Sequence, residues 1–292
     1  MLTLDILRWL TLSLHIITRS LLVAACLWPG LARAQLELLP GHEPQEVFAG
    51  DARPIRVTFH NPAETALDLN LRTQLYQAGS ATVIPVGPPR PWKEFQLWPG
   101  QTVLESITLD FPNVKAETRF LVQWLEESNR VIGATEVLVY PTNLLAELKP
   151  LADGQSLGVF DPQNQLKPLL KNLKLAFMDL ADCGLENFSG RLAIIGPFPS
   201  RAQMREGLAG QIKALAKRNV AVVWLQPPPE KRDKLSPSFY SVPENTNAVV
   251  VVQAELVSDL AENPRAQLDL VYFCKLALHP EPFGLPNLTV QP

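Results

Sequence analysis

Histidine and cysteine are scarce in this 292-residue sequence, four and three copies respectively, and that scarcity excludes much of the common metal chemistry. Beyond residue 34 the histidines are His42, His60 and His279, too scattered for a histidine-built site, and no His-Glu-x-x-His helix occurs. A Gly-rich phosphate loop and a Gly-x-Ser-x-Gly elbow are also missing. Lysines and arginines are dispersed among acids around a net charge of -3, so neither a basic stripe for nucleic acid nor a polybasic membrane patch emerges. After residue 34 no apolar run approaches the ~20 residues of a spanning helix. No cofactor and no metal is implied.

What is present first is the pattern of an export signal. Arg8 and Arg19 supply positive charge, an apolar run from Leu21 to Leu31 follows, Pro29-Gly30 breaks it, and Ala32-Arg33-Ala34 offers a small-x-small cleavage site. Residues 1–34 are therefore expected to be a signal peptide, the mature chain beginning at Gln35 in the periplasm or outside the cell. Val23-Ala24-Ala25-Cys26 also has the residue types of a lipobox, which would anchor the chain through Cys26. The stretch between Arg19 and Cys26 is shorter than the roughly 7 to 15 residues of a signal core, which favours simple secretion. In an oxidising compartment Cys183 and Cys274 either pair or remain two buried thiols, and their spacing decides neither.

From Glu46 to Tyr140 the hydrophobic period is two. Ile55, Val57 and Phe59 alternate with Arg56, Thr58 and His60, and Leu67, Leu69, Leu71 and Leu75 with Asp68, Asn70, Arg72 and Gln74. Further strands are predicted at 81–86, 103–109, 118–125 and 131–140. Turn material separates them at Asn61-Pro62, Gly87-Pro88-Pro89, Trp98-Pro99-Gly100 and Ser128-Asn129. Short strands without helices predict an all-β immunoglobulin-like sandwich over residues 35–141, although the Cys-Trp-Cys marker of antibody domains is absent. Trp92 and Trp98, beside Pro91 and Pro99 in a connection, are candidate aromatic contacts for a sugar, while Trp124 shares a face with Phe120 and Val122 and reads as core.

After Pro141 the period changes. Strands are predicted at 157–160, 175–180, 192–195, 221–225 and 248–252, with a helix at 165–173. A long helix is expected from an N-cap at Ser200 through Met204, Leu208, Ile212 and Leu215 to a stop at Asn219. Another begins at Asn263-Pro264 and reaches about Leu278. This alternation predicts an α/β flavodoxin-like, doubly wound parallel sheet over residues 142–280, followed by a tail at 281–292.

Gly158-Val159-Phe160-Asp161, then Phe188-Ser189-Gly190-Arg191-Leu192-Ala193-Ile194-Ile195-Gly196, then Val220-Ala221-Val222-Val223-Trp224-Leu225 and finally Asn263-Pro264-Arg265-Ala266-Gln267 follow one another in the same order as in a known family. The segment resembles class I glutamine amidotransferase-like domains, most of all the non-catalytic versions in exported bacterial proteins. Catalytic members carry a cysteine in a glycine-flanked elbow and a His-x-Glu pair, and that elbow is missing here. Gln226-Pro227-Pro228-Pro229 stands after the fourth strand, and Cys183 and Cys274 lie elsewhere. His279-Pro280-Glu281 matches the family's His-Pro-Glu, but it closes a helix, where a histidine suits the negative end and a proline the stop. Without an activated nucleophile a base cannot build an acyl intermediate.

The expectation is an exported, non-enzymatic binding or interaction protein of the bacterial cell envelope, its partner an envelope protein or a glycan. In open parallel sheets ligands bind beyond the carboxyl ends of the strands. That rule gathers Asp161, Gln163, Pro197, Phe198, Gln226 and Pro227 around a candidate crevice. The alternative is a carbohydrate-active hydrolase or accessory that uses acids such as Asp161 and Asp179 there. Asp182 beside Asp179 reads as a solvated or capping acid.

Overall fold

Ile55, Val57 and Phe59 are buried while Arg56 between them is exposed, as a period of two demands. The computed structural model describes residues 36–41, 43–50, 52–152, 157–198, 200–204, 206–227, 239–244, 247–257 and 259–280. Its first part is built from β1 (Glu37–Leu39), β2 (Gln45–Phe48), β3 (Ala52–His60), β4 (Leu67–Ala78), β5 (Val83–Leu97), β6 (Thr102–Asp110), β7 (Thr118–Glu126) and β8 (Val131–Tyr140). They form a three-stranded sheet in the order β1-β3-β6 and a five-stranded sheet in the order β2-β8-β7-β4-β5. Between them lies a core in which Phe59, Leu71, Phe120 and Trp124 are fully buried. The indole N–H of Trp124 donates to Thr135 Oγ1 at 2.8 Å, so its one polar atom is paired inside that core.

Gly87-Pro88-Pro89 is not the expected turn. It lies inside the 15-residue strand β5, which also contains Pro85 and Pro91. Proline cannot donate to a ladder, and it is tolerated here because β5 is the outer strand of its sheet. Register shifts in the β4–β5 pairing, at Leu71/Arg72 and Thr73/Leu75, absorb the irregularity.

The second part contains α1 (Leu148–Leu151), β9 (Leu157–Phe160), α2 (Leu166–Asn172), β10 (Phe177–Asp179), α3 (Leu180–Cys183), β11 (Leu192–Ile195), α4 (Leu208–Lys217), β12 (Ala221–Gln226), β13 (Phe239–Glu244), β14 (Asn247–Gln253) and α5 (Pro264–Leu278). The strands form one six-stranded sheet, β10-β9-β11-β12-β14-β13. Its residues alternate between two apolar layers: Val159, Ile194, Val223 and Val250 pack with α2 and α5, Phe160, Ile195, Val222 and Val251 with α4. This double burial is why the strands read as continuous apolar runs.

The expected architecture, an immunoglobulin-like sandwich followed by a flavodoxin-like, doubly wound parallel sheet, is not what forms. The five-stranded sheet is mixed, because β2 runs parallel to β8 while its other pairings are antiparallel. The six-stranded sheet is mixed as well, because β13 folds back on β14 as an antiparallel edge. Strands make up 46% and helices 23% of the structure, arranged in three sheets of which two are mixed.

The expected long helix is also shorter. Ser200 makes no side-chain cap bond, Arg201–Gln203 form a 3-10 turn, and α4 starts only after Gly207, whose φ of 82° no helix accepts. Asn219 does stop the chain, at φ 64°. Asn263 caps α5 by accepting hydrogen bonds from the backbone of Arg265 and Ala266, with Pro264 at the first position.

Helix α5 also touches the first part of the chain. Leu268 packs on a small cluster of Phe48, Tyr140 and Leu144. Arg265 lies 3.8 Å from Glu46, and Lys275 binds Glu147 at 2.6 Å. Among the described residues no helix is long and apolar enough to cross a membrane.

Candidate functional site

The carboxyl ends of the parallel strands do converge, since Phe160 and Trp224 both pair with Ile195, and Gln226 pairs with Gln253. Asp161 leaves β9 at this level and is buried. Its Oδ2 accepts from the backbone N–H of Leu166 at 2.8 Å and of Lys167 at 3.0 Å, which satisfies the first turn of α2. Its Oδ1 is buried with no hydrogen-bond partner among the described residues. Gln163, half-buried, accepts through Oε1 from the Gln165 amide at 2.7 Å.

Pro197, Phe198 and Pro227 are buried. Phe198 packs against Phe160 with ring centroids 6.0 Å apart. Gly196, which leads into this corner, has φ 107°, and a Cβ there would sit 2.4 Å from the Leu225 carbonyl oxygen. The chain from β11 therefore turns hard against β12, and only glycine fits. Of the six expected crevice residues, Gln163 and Gln226 alone retain partial exposure. Among the described residues, Pro197, Phe198 and Pro227 are packed away from solvent at this corner.

The two acids proposed for catalysis flank Lys167 rather than a common space. Asp161 holds the lysine's backbone N–H, while Asp179 pairs with its ammonium at 2.5 Å. Asp179 also caps α3, accepting from Ala181 N–H at 3.0 Å. Burial pulls the Asp179 carboxyl upward, but the bonds from Lys167 and Ala181 and the nearby Lys171 charge outweigh it and hold it below the ordinary carboxylate range. Asp182 is exposed in the first turn of α3.

The aromatic candidates divide. Trp92 is half-buried and packs against the core of the first part, 4.9 Å from Trp124 and 6.1 Å from Phe59. Trp98 is 62% exposed. It sits where the buried carboxamide of Asn61 donates to the carbonyls of Thr65, Leu97 and Trp98, pinning the turn between β5 and β6. The role of Asn61-Pro62 as turn material was readable, but not this cross-connection to Trp98.

Cys183 and Cys274 are both free thiols. They belong to different apolar layers, Cys274 to that of α5 and Cys183 to that of α4. Cys183 donates to the Asp179 carbonyl at 2.9 Å, and burial pushes the Cys274 thiol up. His279 is exposed at the end of α5, while Glu281, His42 and residues 1–34 lie outside the described residues.

A feature with no sequence signal lies on the opposite part of the molecule. A groove of about 740 Å³ runs between Leu38–Gly41, Glu43–Glu46, β3 and β8. Gln45 closes one wall: its Nε2 donates to the Arg56 carbonyl at 2.7 Å and its Oε1 accepts from the Arg56 N–H at 2.8 Å. Glu43, Glu46 and Glu136 line the groove against Arg56.

No family model and no curated protein matches the chain. Solved structures resemble parts of it. One is the alkylpurine DNA glycosylase AlkC of Pseudomonas fluorescens bound to DNA containing an abasic site analog, with 16% identity over 37% of this chain and 31% of that one, at a TM-score of 0.29. Another is a β-glucosidase from Listeria innocua in complex with gluconolactone, with 20% identity over 37% and 16% of the two chains, at 0.27. A third is a Niemann-Pick type C2 protein from the Japanese carpenter ant, with 8% identity over 37% and 89%, at 0.27. The likeness spans less than a third of the first two proteins' own length. At these scores it assigns neither a fold nor an activity to this chain.

Proposed function

We propose that this is an exported, non-enzymatic binding or interaction protein of the bacterial cell envelope, with a degenerate amidotransferase-like second part. The observation that carries the reading is the engagement of the strand-end acids. Asp161 caps α2, and Asp179 caps α3 while pairing with Lys167, so both spend their charge on the scaffold. Acid–base work needs two groups held in different environments around a shared space. The surroundings here are instead proline, phenylalanine and an ion pair. The export pattern before Gln35 supplies the location.

The test is affinity capture from an envelope extract with the chain beginning at Gln35, bound proteins and glycans being identified by mass spectrometry. Enrichment of one defined protein or glycan is expected. An extract that leaves nothing specific behind would count against the reading.

A hydrolase acting at the same corner is the second reading, favoured by one observation: Asp161 Oδ1 is buried and unpartnered. Asp161→Asn retains the cap and removes the carboxylate. Glycoside hydrolysis present in the native chain and lost in this folded variant would establish the second reading and remove the first.

A further inference from the structure

His279, the histidine of the His-Pro-Glu fragment, stands not at the strand-end corner but at the opposite edge of the six-stranded sheet. There Gly190 leads into β11, Asn219 leads into β12, Asn247 opens β14, and α5 ends. Because β11, β12 and β14 are adjacent and parallel, these lead-ins meet around one hollow of about 510 Å³. The described residues that line it include Arg191, Arg218 and His279, and no aspartate or glutamate. Hydrogen bonds fix its walls. Arg218 donates through Nη1 to the Glu186 carbonyl at 2.7 Å and through Nη2 to the Leu185 carbonyl at 3.0 Å. Both acceptors are neutral, so these bonds hold the guanidinium in place without setting a carboxylate against its charge. Asn247, 7% exposed, donates to the Asn219 carbonyl at 2.7 Å and ties the lead-in of β12 to β14.

The carboxyl ends of α4 and α5 also reach this edge, where cations complement the negative ends of helices. That role accounts for His279 and for Lys217 in the last turn of α4. It does not account for the arginines. Arg191 belongs to neither helix, and Arg218 reaches across to the turn after α3 rather than back to the last carbonyls of α4. We propose that the hollow binds a small, multiply charged oxyanion ligand, held by its phosphoryl or carboxylate oxygens. A guanidinium presents paired N–H groups that match such oxygens two at a time, and its charge shortens and strengthens each bond. The volume falls within the roughly 300 to 1,000 Å³ of small-molecule sites. The site shares no residue with the strand-end corner, so it stands whether or not that corner takes a ligand.

The experiment is isothermal titration calorimetry of the protein in the form its own cell accumulates. Inorganic pyrophosphate and citrate are the probes, with sodium chloride at matched ionic strength as the control. Saturable binding with a dissociation constant of about 1 mM or tighter is expected for at least one probe, and which one binds separates a phosphoryl from a carboxylate ligand. Arg191→Gln and Arg218→Gln should each weaken it about ten-fold, the loss of a charge-assisted hydrogen bond. Lys217 is exposed and lies outside the hollow. Lys217→Gln removes the same charge nearby and should weaken binding by less than about two-fold, as screening of an exposed charge dictates. Circular dichroism melts check that the variants fold. Where one does not, amide NMR of the native chain decides, the probe being expected to shift Gly190, Arg191 and Asn219. No saturable binding of either probe up to about 10 mM overturns the proposal. So do folded arginine variants that bind as the native chain does, a Lys217 variant that loses as much as they do, or shifts that map elsewhere.

Discussion

The carboxamide of Gln45 makes with Arg56 the pair of hydrogen bonds that a neighbouring strand would make, accepting from its N–H at 2.8 Å and donating to its carbonyl at 2.7 Å. On this side β1 reaches only Thr58 to His60 of β3, so the rest of β3 lies beyond its ladder. Gln45→Ala should therefore cost about 1 kcal/mol and raise amide hydrogen exchange at Arg56. Unchanged exchange there would show that water serves this edge as well as the side chain does.

Two glycines should be intolerant to different degrees. At Gly158, in the buried strand β9, a Cβ would meet Phe188 Cζ at 2.8 Å and Leu180 Cδ1 at 3.0 Å, both side-chain rather than backbone atoms. Gly158→Ala should lose about 1 to 3 kcal/mol through overpacking. At Gly196 the obstacle is a backbone oxygen and φ is 107°. Gly196→Ala should lose about 3 kcal/mol or more. Denaturant melts of the two variants check the order.

Acid should favour the contact between the two parts. Burial, ahead of nearby charges, raises the carboxyls of Glu46 and Asp269 on either side of Arg265. A carboxyl whose folded pKa is raised contributes stability that is full below its unfolded pKa and lost as pH rises through the folded one. Asp179, lowered, acts in the reverse sense, contributing above its unfolded pKa and losing that contribution as pH falls through the folded value. Urea midpoints of the native chain and Glu46→Gln, compared from acid to neutral pH, should show the variant gaining relative stability as pH rises. A constant difference would contradict the burial of Glu46.

Thiol labelling should separate the cysteines. Cys183 is half-exposed and Cys274 lies fully buried in α5. Alkylation of the native protein, mapped by mass spectrometry, is expected at Cys183, with Cys274 modified only after unfolding. Oxidation should join no intrachain pair, because the sheet stands between the two.

Sequence alone located some elements to the residue. β8 and β11 match their predicted bounds, and Asn263-Pro264 marks the start of α5 because cap and proline both act locally. Elsewhere a continuous pattern misled. The spacing of Met204, Leu208, Ile212 and Leu215 runs helically through Gly207, whose positive φ no periodicity reveals. The antiparallel return of β13 and the parallel pairing of β2 depend on partners that no local pattern names. At the candidate site, strand order places the ends of β9, β11 and β12 side by side. The burial of Phe198 and Pro227 there is a matter of packing, which residue type does not encode.

The placement of α5 has a consequence for the order of events as the chain is made. The last described helix lies against Glu46, Phe48 and Tyr140, which are synthesised first. Until α5 arrives, Phe48 and Tyr140 pack only with Leu138 and Leu144 and lack the cover of Leu268, so a chain truncated before Pro264 leaves that side of the cluster open. The synthesis of α5, rather than the pairing of the early strands, is the step that supplies this cluster with its Leu268 wall.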